Sequence, residues 1–306
     1  MIRSIQASSE RFLANLARIQ ARSQKAERQI TSGLRVSQPS DAPDQIGSIL
    51  QLRADIQRNE QIRTDLTRVV SEVNTAEKSL QTAVTLVERA VVLASKGAGT
   101  LETAATRATL ATEVRGLHEH MVGLSRTQVE GRFIFSGDQD QQPAYSLNLT
   151  NPNGVQRLIT AAATRQIQDS TAVTFPVTRR AQDIFDHRNP DDSLATDNVF
   201  AALNGLRIAL EANDQPGIDA SLATLRQAGQ YLNSQLSFYG ATQSRIDQAV
   251  DRLEKITNQF KEELSAREDA DIVAASLDMN QAETHLNAAM SARARLPRTS
   301  LFDYLG

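Results

Sequence analysis

The sequence has 306 residues, a formal net charge of −3 and no cysteine, and only 4% of its residues are aromatic. The absence of cysteine excludes a disulfide scaffold, a zinc–thiolate site and a cysteine nucleophile, and the charge argues against a strongly basic nucleic-acid binder. Small residues are abundant, which favours long, thin helical packing over a thick globular core. No apolar run approaches the roughly 18 residues of a membrane span, and no hydrophobic segment of a cleavable secretory signal is visible.

Both ends of the chain repeat apolar or small residues at intervals of three and four positions. The first repeat consists of Ile2, Ile5, Ser9, Phe12, Leu16, Ile19, Ser23, Ala26 and Ile30. The second consists of Ile272, Ala275, Met279, Ala282, Leu286, Ala289 and Leu296. This spacing places each set on one side of a helix, the arrangement that packs against a partner helix. Residues 1–35 contain seven basic and two acidic groups, whereas residues 246–306 contain eleven acidic and seven basic groups, so the two ends carry complementary charge.

The predicted elements begin with a helix that ends near Ser32 and Gly33, where glycine provides a left-handed stop. A turn with two prolines follows, and Asp41 is the predicted N-cap of the next helix. Nothing breaks that helix until Gly97, and a third helix then returns antiparallel as far as Glu130.

The periodicity changes to two at Gly131, which predicts strands. The Asn153-Gly154 pair is a strong hairpin signal because both residues tolerate positive φ, and Val155 is predicted to begin the return strand. Residues 173–177 alternate in the same way and predict a third strand.

Helical periodicity resumes at Asp197, a predicted N-cap. After a turn at residues 213–217, a further helix is predicted to end at Tyr239-Gly240, and a long last helix then runs into the C-terminal repeat. The predicted fold class is mainly α: a long antiparallel helical rod with terminal coiled-coil helices and a small β insertion. The predicted domains are a terminal coiled-coil domain (residues 1–40 and 266–306), a helical rod domain (41–135 and 191–265) and the β insertion (136–190).

Candidate catalytic and metal-binding patterns are weak. His118 and His120 are two positions apart, so on a helix they point to different sides, and a solvated helix face is the better interpretation. The acidic cluster at residues 262–271 lacks the loop glycine and alternating oxygens of a calcium loop, and exposed helix positions or contacts to a basic neighbour explain it better. We therefore predict no enzymatic activity and no catalytic, cofactor-binding or metal site.

The order and spacing of several segments resemble the bacterial flagellin superfamily. At the N-terminal side these are Ile30–Val36, the turn Pro39–Pro43, Arg53 and Asp55-Ile56; at the C-terminal side they are Glu268–Asp271 and the small-residue helix after it. Within the superfamily the chain resembles the hook–filament junction proteins (hook-associated protein type 3) more than the filament subunits. The segments behind this distinction are the Pro-Ser-Asp-x-Pro turn, Gly131–Gly137 and Ser300–Leu305.

This resemblance implies a structural adaptor of the bacterial flagellum that self-associates into a junction ring between hook and filament. It implies export, without a cleavable signal peptide, through the flagellar type III channel to the extracellular flagellum. The implied partners are copies of the chain, the other hook-associated junction protein, filament flagellin and a type III export chaperone, but no nucleic acid. Terminal helices in this family are disordered in the free subunit and form a coiled coil on assembly. The predicted assembly interface consists of Ile5, Phe12, Leu16, Ile19, Ile30, Ile272, Met279, Leu286, Leu296, Leu301 and Leu305.

Two other functions remain open from the sequence. A short filament flagellin has the same overall pattern, and a coiled-coil secretion or signalling adaptor has the same terminal repeats without a flagellar role.

Overall fold

The computed structural model describes residues 2–168 and 173–295 and is mainly helical. Its helices are α1 (Ile2–Ser32), α2 (Ile46–Gly97), α3 (Ala104–Ser125), α4 (Ala181–Phe185), α5 (Val199–Glu211), α6 (Gln215–Glu268) and α7 (Ile272–Ala294). Its strands are β1 (Gln128–Val129), β2 (Arg132–Phe133), β3 (Tyr145–Leu147), β4 (Val155–Arg157), β5 (Gln166–Gln168) and β6 (Thr174–Pro176). The predicted mainly helical class with a small β part is confirmed.

Packing divides the chain into two units. Unit 1 consists of Met1–Arg58 and Lys255–Gly306, and unit 2 consists of Asn59–Glu254. Both boundaries lie inside long helices, so α2 and α6 contribute residues to each unit. The sequence patterns instead suggested boundaries at turns, because a helix that continues without a break carries no local mark of a change in packing partners.

In unit 1, α1 ends at Ser32 and Gly33 has a φ of +72°, as the helix-stop pattern predicted. The predicted N-cap at Asp41 is wrong, because α2 begins only at Ile46. The Asp41 carboxylate instead closes the preceding turn by accepting hydrogen bonds from the backbone N–H groups of Ser37 (3.1 Å) and Gln38 (2.9 Å). The N–H of Gln38 is the main group that lowers the pKa of Asp41.

The core of unit 2 contains large aromatic and aliphatic side chains. Phe135, Phe185, Phe200 and Tyr239 are among its largest fully buried groups, and they are drawn from the β region, α4, α5 and α6. The predicted break at Tyr239-Gly240 is wrong, since α6 continues through both residues. Tyr239 is fully buried, and its hydroxyl accepts a hydrogen bond from the backbone N–H of Arg179 (3.2 Å).

The start of α5 differs by one residue from the prediction. Asn198, not Asp197, is the N-cap, and its side-chain oxygen accepts a hydrogen bond from the N–H of Ala201 (2.9 Å). The Asp197 carboxylate is engaged by the ring Nδ1 of His187 (2.6 Å). Both residue types cap helices well, so only the tertiary partner of Asp197 decides between them.

Within residues 2–168 and 173–295, the strands form three separate antiparallel pairs, β1–β2, β3–β4 and β5–β6. The predicted return strand at Val155 is confirmed, and Val155 lies opposite Leu147. Residues 148–154 connect these two strands, and Gly154 has a φ of +73°. The predicted strand at residues 173–177 is present as β6, which pairs with β5 so that Phe175 lies opposite Ile167.

One end of unit 2 is formed by helix ends gathered around Arg107 of α3. The Arg107 guanidinium donates to the carbonyl oxygen of Gly97 (2.9 Å), to the side-chain oxygen of Asn213 (2.6 Å) and to that of Gln215. Gln215 in turn donates to the carbonyl oxygen of Ala98 (2.8 Å). Arg107 is buried, so one side chain satisfies polar groups from the end of α2 and from the α5–α6 turn.

A carboxylate, Asp186, is fully buried in the middle of unit 2. It accepts hydrogen bonds from five side chains: Tyr145 (3.0 Å), Asn153 (3.0 Å), Arg157 (3.3 Å), Arg188 (3.0 Å) and Asn198 (2.8 Å). A buried carboxylate requires such compensation, because transfer from water without partners costs several kcal/mol or more. We call this set the Asp186 cluster; it connects β3, β4, the loop between them and the segment before α5.

The expectation that His118 lies on a solvated helix face is wrong. His118 is fully buried, its Nε2 lies 3.1 Å from the carbonyl oxygen of Asn153, and its ring is 5.8 Å from that of Phe200. Burial lowers the pKa of His118 because it disfavours the charged imidazolium. His120, by contrast, is exposed.

We predict that replacing Arg107 by alanine lowers the free energy of unfolding of unit 2 by about 2–3 kcal/mol, because the Gly97 and Asn213 oxygens lose a charged donor. The matched control is Arg115→Ala on the same helix. The Arg115–Glu119 ion pair (2.9 Å) is about half exposed, so its loss costs less than about 1 kcal/mol. Urea unfolding followed by circular dichroism measures both, and equal losses in the two variants contradict the interpretation of Arg107.

We predict that unit 2 loses stability as the pH falls below 6.5, the ordinary pKa of histidine. His118 has a lowered pKa in the fold, so the unfolded chain takes up a proton there first, and unfolding becomes easier by up to about 1.4 kcal/mol per pH unit. Urea titrations at about pH 7.5 and pH 5.5 compare the unchanged protein with His118→Gln and with the exposed-site control His120→Gln. The pH dependence is expected to weaken only in His118→Gln, and an equal dependence in all three proteins contradicts the prediction.

Candidate assembly surface

The helices at the two ends of the chain, α1 and α7, lie against each other in unit 1. They run antiparallel, since Phe12 is near Arg293 and Arg22 is near Asp278. Burial along each helix follows the repeat seen in the sequence. The less exposed positions are Ser9, Phe12, Leu16, Ile19, Ser23, Ala26 and Ile30 on α1, and Ala275, Met279, Ala282, Leu286 and Ala289 on α7.

Burial between these two helices is incomplete. Among the side chains that the structure describes on α1 and α7, the fully buried ones are Ala26, Ala275 and Ala282. An alanine removes little apolar area from water. The larger residues of the two repeats that the structure describes are half-buried, apart from Ile272, which is exposed. A groove of about 730 Å³ stays open between the helices, lined by Phe12, Asn15, Leu16, Arg18, Ile19, His285, Ala289, Ala292 and Arg293.

Two side-chain contacts between the described parts of α1 and α7 add little to this pairing. The Arg22–Asp278 ion pair has a nitrogen–oxygen distance of 2.6 Å, but both side chains are about half exposed, so it contributes at most about 1 kcal/mol. The Arg293 guanidinium lies 5.5 Å from the centre of the Phe12 ring, a cation–π contact of similar modest value.

The side of α7 that faces away from α1 also carries apolar residues. Val273 is 80% exposed and Leu277 is 60% exposed, and the two are one helical turn apart on the same side. Leu13 of α1 is also exposed. These residues lie outside the single repeat predicted on each helix. The signal for them in the sequence is the presence of large apolar residues outside that repeat.

Hydrogen bonds hold the inner ends of α1 and α7 together. The N–H of Ala270 donates to the carbonyl oxygen of Gly33 (2.9 Å), and the N–H of Arg35 donates to that of Glu268 (2.7 Å). The Glu268 carboxylate is almost completely buried and pairs with Arg53 of α2. Two of the segments that resemble the flagellin superfamily, Ile30–Val36 and Glu268–Asp271, are therefore in direct contact.

The Asp271 side chain begins α7. It accepts hydrogen bonds from the N–H groups of Val273 (2.9 Å) and Ala274 (3.0 Å), which is the contact of a helix N-cap. Glu263 pairs with Arg267 (2.5 Å). The acidic cluster thus contacts basic groups and backbone donors, and no group of three potential metal ligands occurs in the part of the chain that the structure describes.

The predicted interface residues occupy different environments. The structure brings Phe12, Leu16 and Ile19 of α1 to the same groove as α7, and Met279 and Leu286 are half-buried on α7. Ile30 is half-buried near the end of α1, whereas Ile272 is exposed. Ile5 belongs to α1, but its side chain is outside the described part, as are the residues Leu296, Leu301 and Leu305.

None of the helices within residues 2–168 and 173–295 is both long enough and apolar enough to cross a membrane.

Two family models match the chain. The bacterial flagellin N-terminal helical region matches residues 4–140, and the bacterial flagellin C-terminal helical region matches residues 222–305. Together they span well over half of the sequence and include most of α1, all of α7 and the contact between Gly33 and Ala270.

Individual proteins show the same relationship at low identity. Flagellar hook-associated protein 3 of Escherichia coli (strain K12) is 24% identical over 266 residues, which is 83% of this chain and 81% of that protein. Flagellin of Bacillus subtilis (strain 168) is 24% identical over 239 residues, 76% of this chain and 75% of that protein. The solved structure of flagellar hook-associated protein-3 from Legionella pneumophila is 15% identical and matches with a TM-score of 0.59, covering 71% of this chain and 97% of its own. The chain belongs to the bacterial flagellin family.

Proposed function

We propose that this protein is a structural adaptor of the bacterial flagellum that joins the hook to the filament. The observation that carries the proposal is the incomplete core between α1 and α7. Among the side chains that the structure describes on these helices, the fully buried ones are alanines, and a groove of about 730 Å³ is open. Terminal helices with an incomplete core are expected in a subunit that buries their apolar residues against neighbouring subunits on assembly.

An estimate of the free energies supports this interpretation. Ordering the backbone costs about 1–2 kcal/mol per residue, and a fully buried large apolar side chain returns only about 1.5–3 kcal/mol. The α1–α7 pair has half-buried large residues, and Val273 and Leu277 point away from it. We infer that neighbouring subunits cover both the groove and the outer side of α7, and that residues 1–40 and 266–306 become fully ordered on assembly.

The assembly that we propose is a ring of copies of this chain at the distal end of the hook. The other hook-associated junction protein lies below the ring and filament flagellin lies above it. The chain reaches this extracellular position through the type III export channel with the help of an export chaperone. The proposed contacts use the interface residues named from the sequence, from Ile5 to Leu305, and we add Val273 and Leu277 to them.

A short filament flagellin is the second candidate function. The similarity to flagellin of B. subtilis supports it, because its 24% identity equals that to hook-associated protein 3 of E. coli. The turn Pro39–Pro43 and the segment Gly131–Gly137 favour the junction protein. A coiled-coil adaptor outside the flagellum accounts for the terminal repeats, but not for the two family matches.

We predict that deleting the gene yields cells with hooks but no filaments, and with filament protein lost to the medium, as seen by electron microscopy and by analysis of the culture supernatant. Restoring the unchanged gene is the control and is expected to restore filaments. We also expect the purified protein not to grow long filaments on its own. Filaments on the deletion strain contradict the junction role, and filament growth by the purified protein supports the flagellin alternative.

We predict that Leu277→Asp blocks incorporation at the hook tip while leaving the stability of the free subunit unchanged within about 0.5 kcal/mol, because Leu277 is exposed in the single chain. The matched control is Val92→Asp on α2 in unit 2, where the side chain is 57% exposed. Incorporation is measured by restoration of filaments and by the amount of protein in isolated hooks. Normal incorporation of Leu277→Asp, or equal loss in both variants, contradicts a specific contact at α7.

A further inference from the structure

The sequence contains two Asn-Gly pairs, Asn153-Gly154 and Asn204-Gly205. Asparagine followed by glycine is the dipeptide most prone to deamidation, because glycine has no side chain to hinder attack by its own backbone nitrogen on the preceding side-chain amide. Asparagine is therefore one of the thermolabile residues of proteins. Both asparagine side chains are almost completely buried in unit 2, which is unusual for this residue type.

The Asn153 side chain is held in place by the Asp186 cluster. Its amide nitrogen donates to a carboxylate oxygen of Asp186 (3.0 Å), and its carbonyl oxygen accepts a weaker bond from the N–H of Val155 (3.4 Å). The attacking atom is also occupied, since the N–H of Gly154 donates to the carbonyl oxygen of Asn151 (2.9 Å). A β-carbon at Gly154 would lie 2.8 Å from the His118 ring, so this ring packs directly against the Gly154 backbone.

Asn204 lies beside the same loop. Its amide nitrogen donates to the carbonyl oxygens of Asn151 (3.2 Å) and Pro152 (3.0 Å), and its carbonyl oxygen accepts a hydrogen bond from Arg207 (3.0 Å). Gly205 is inside α5, where backbone N–H groups are bonded within the helix. The side-chain amides of Asn153 and Asn204 therefore both donate hydrogen bonds within the core. The backbone nitrogens of Gly154 and Gly205, which would attack these amides, are held by hydrogen bonds of their own.

We propose that Asn153 and Asn204 are deamidation sites that the folded core of unit 2 protects. If either residue deamidates while the chain is unfolded, the resulting carboxylate prevents unit 2 from regaining its packed structure.

The reaction at Asn153 needs only water as a co-reactant. The Gly154 nitrogen attacks the side-chain carbonyl carbon of Asn153, a carbon–nitrogen bond forms, and the amide nitrogen leaves as ammonia with the proton that Gly154 releases. Water then opens the resulting five-membered imide and leaves aspartate or isoaspartate. The new carboxylate lies against the Asp186 carboxylate in the buried cluster, and like charges in such a site destabilise each other strongly.

The first test follows deamidation of the full-length protein over time, folded in buffer and unfolded in urea at the same pH and temperature. Peptide mass spectrometry detects the replacement of each amide by a carboxylate. We expect both pairs to react at least about tenfold more slowly in the folded protein, since the reaction then requires opening of the core. Equal rates in the two states, or no reaction in the unfolded chain, overturn the proposal.

The second test introduces the reaction product directly through Asn153→Asp and Asn204→Asp. The matched control is Asn148→Asp in the same loop. The side-chain oxygen of Asn148 accepts hydrogen bonds from the N–H (3.2 Å) and the hydroxyl (2.6 Å) of Thr150, and a carboxylate oxygen can accept both of them. We expect a fall in Tm on the order of 10 °C, or failure to fold, for the first two variants and little change for the control. Unchanged Tm values in Asn153→Asp and Asn204→Asp overturn the proposal.

Discussion

The contact between the Gly33–Val36 segment and the Glu268–Ala270 segment is the constraint on which unit 1 depends. Three backbone hydrogen bonds and the buried Glu268 carboxylate hold the inner ends of α1 and α7 side by side. The pairing of the terminal helices starts from this point, although the helices come from opposite ends of the sequence. Without it, buried alanines and half-exposed side-chain contacts offset little of the entropy of bringing the chain ends together.

The two units differ in the kind of core that they form, and this difference is the basis of the functional proposal. Unit 2 buries complete aromatic side chains such as Phe185 and Phe200, and it satisfies its buried charges through the Asp186 cluster and Arg107. The α1–α7 pair buries alanines and leaves larger residues half-exposed. A self-sufficient domain joined to helices that lack packing surface suits a subunit that is stable alone and binds neighbours through its ends.

Periodicity and glycine stops are local signals, so the sequence was enough to predict several features. These are the mainly helical class, the C-terminal ends of α1 and α2, the return strand at Val155 and the family. The errors arose where a distant partner decides the outcome. Asp41 closes a turn instead of capping a helix, Asp197 is engaged by His187, and α6 continues through the buried Tyr239. His118 was assigned to solvent, although Asn153 and Phe200 enclose it.

By itself, the sequence determined which residues of α1 and α7 share a helix side, since a 3-4 spacing follows from helix geometry alone. It also determined the motifs that identify the flagellin family. Only the tertiary structure decided that the two repeats face each other with alanine at the fully buried positions, that Val273 and Leu277 remain exposed, and that both Asn-Gly pairs lie in one buried region. The physical reason is that burial and hydrogen-bond partners depend on segments far apart in the chain, and no local pattern records which of these segments meet.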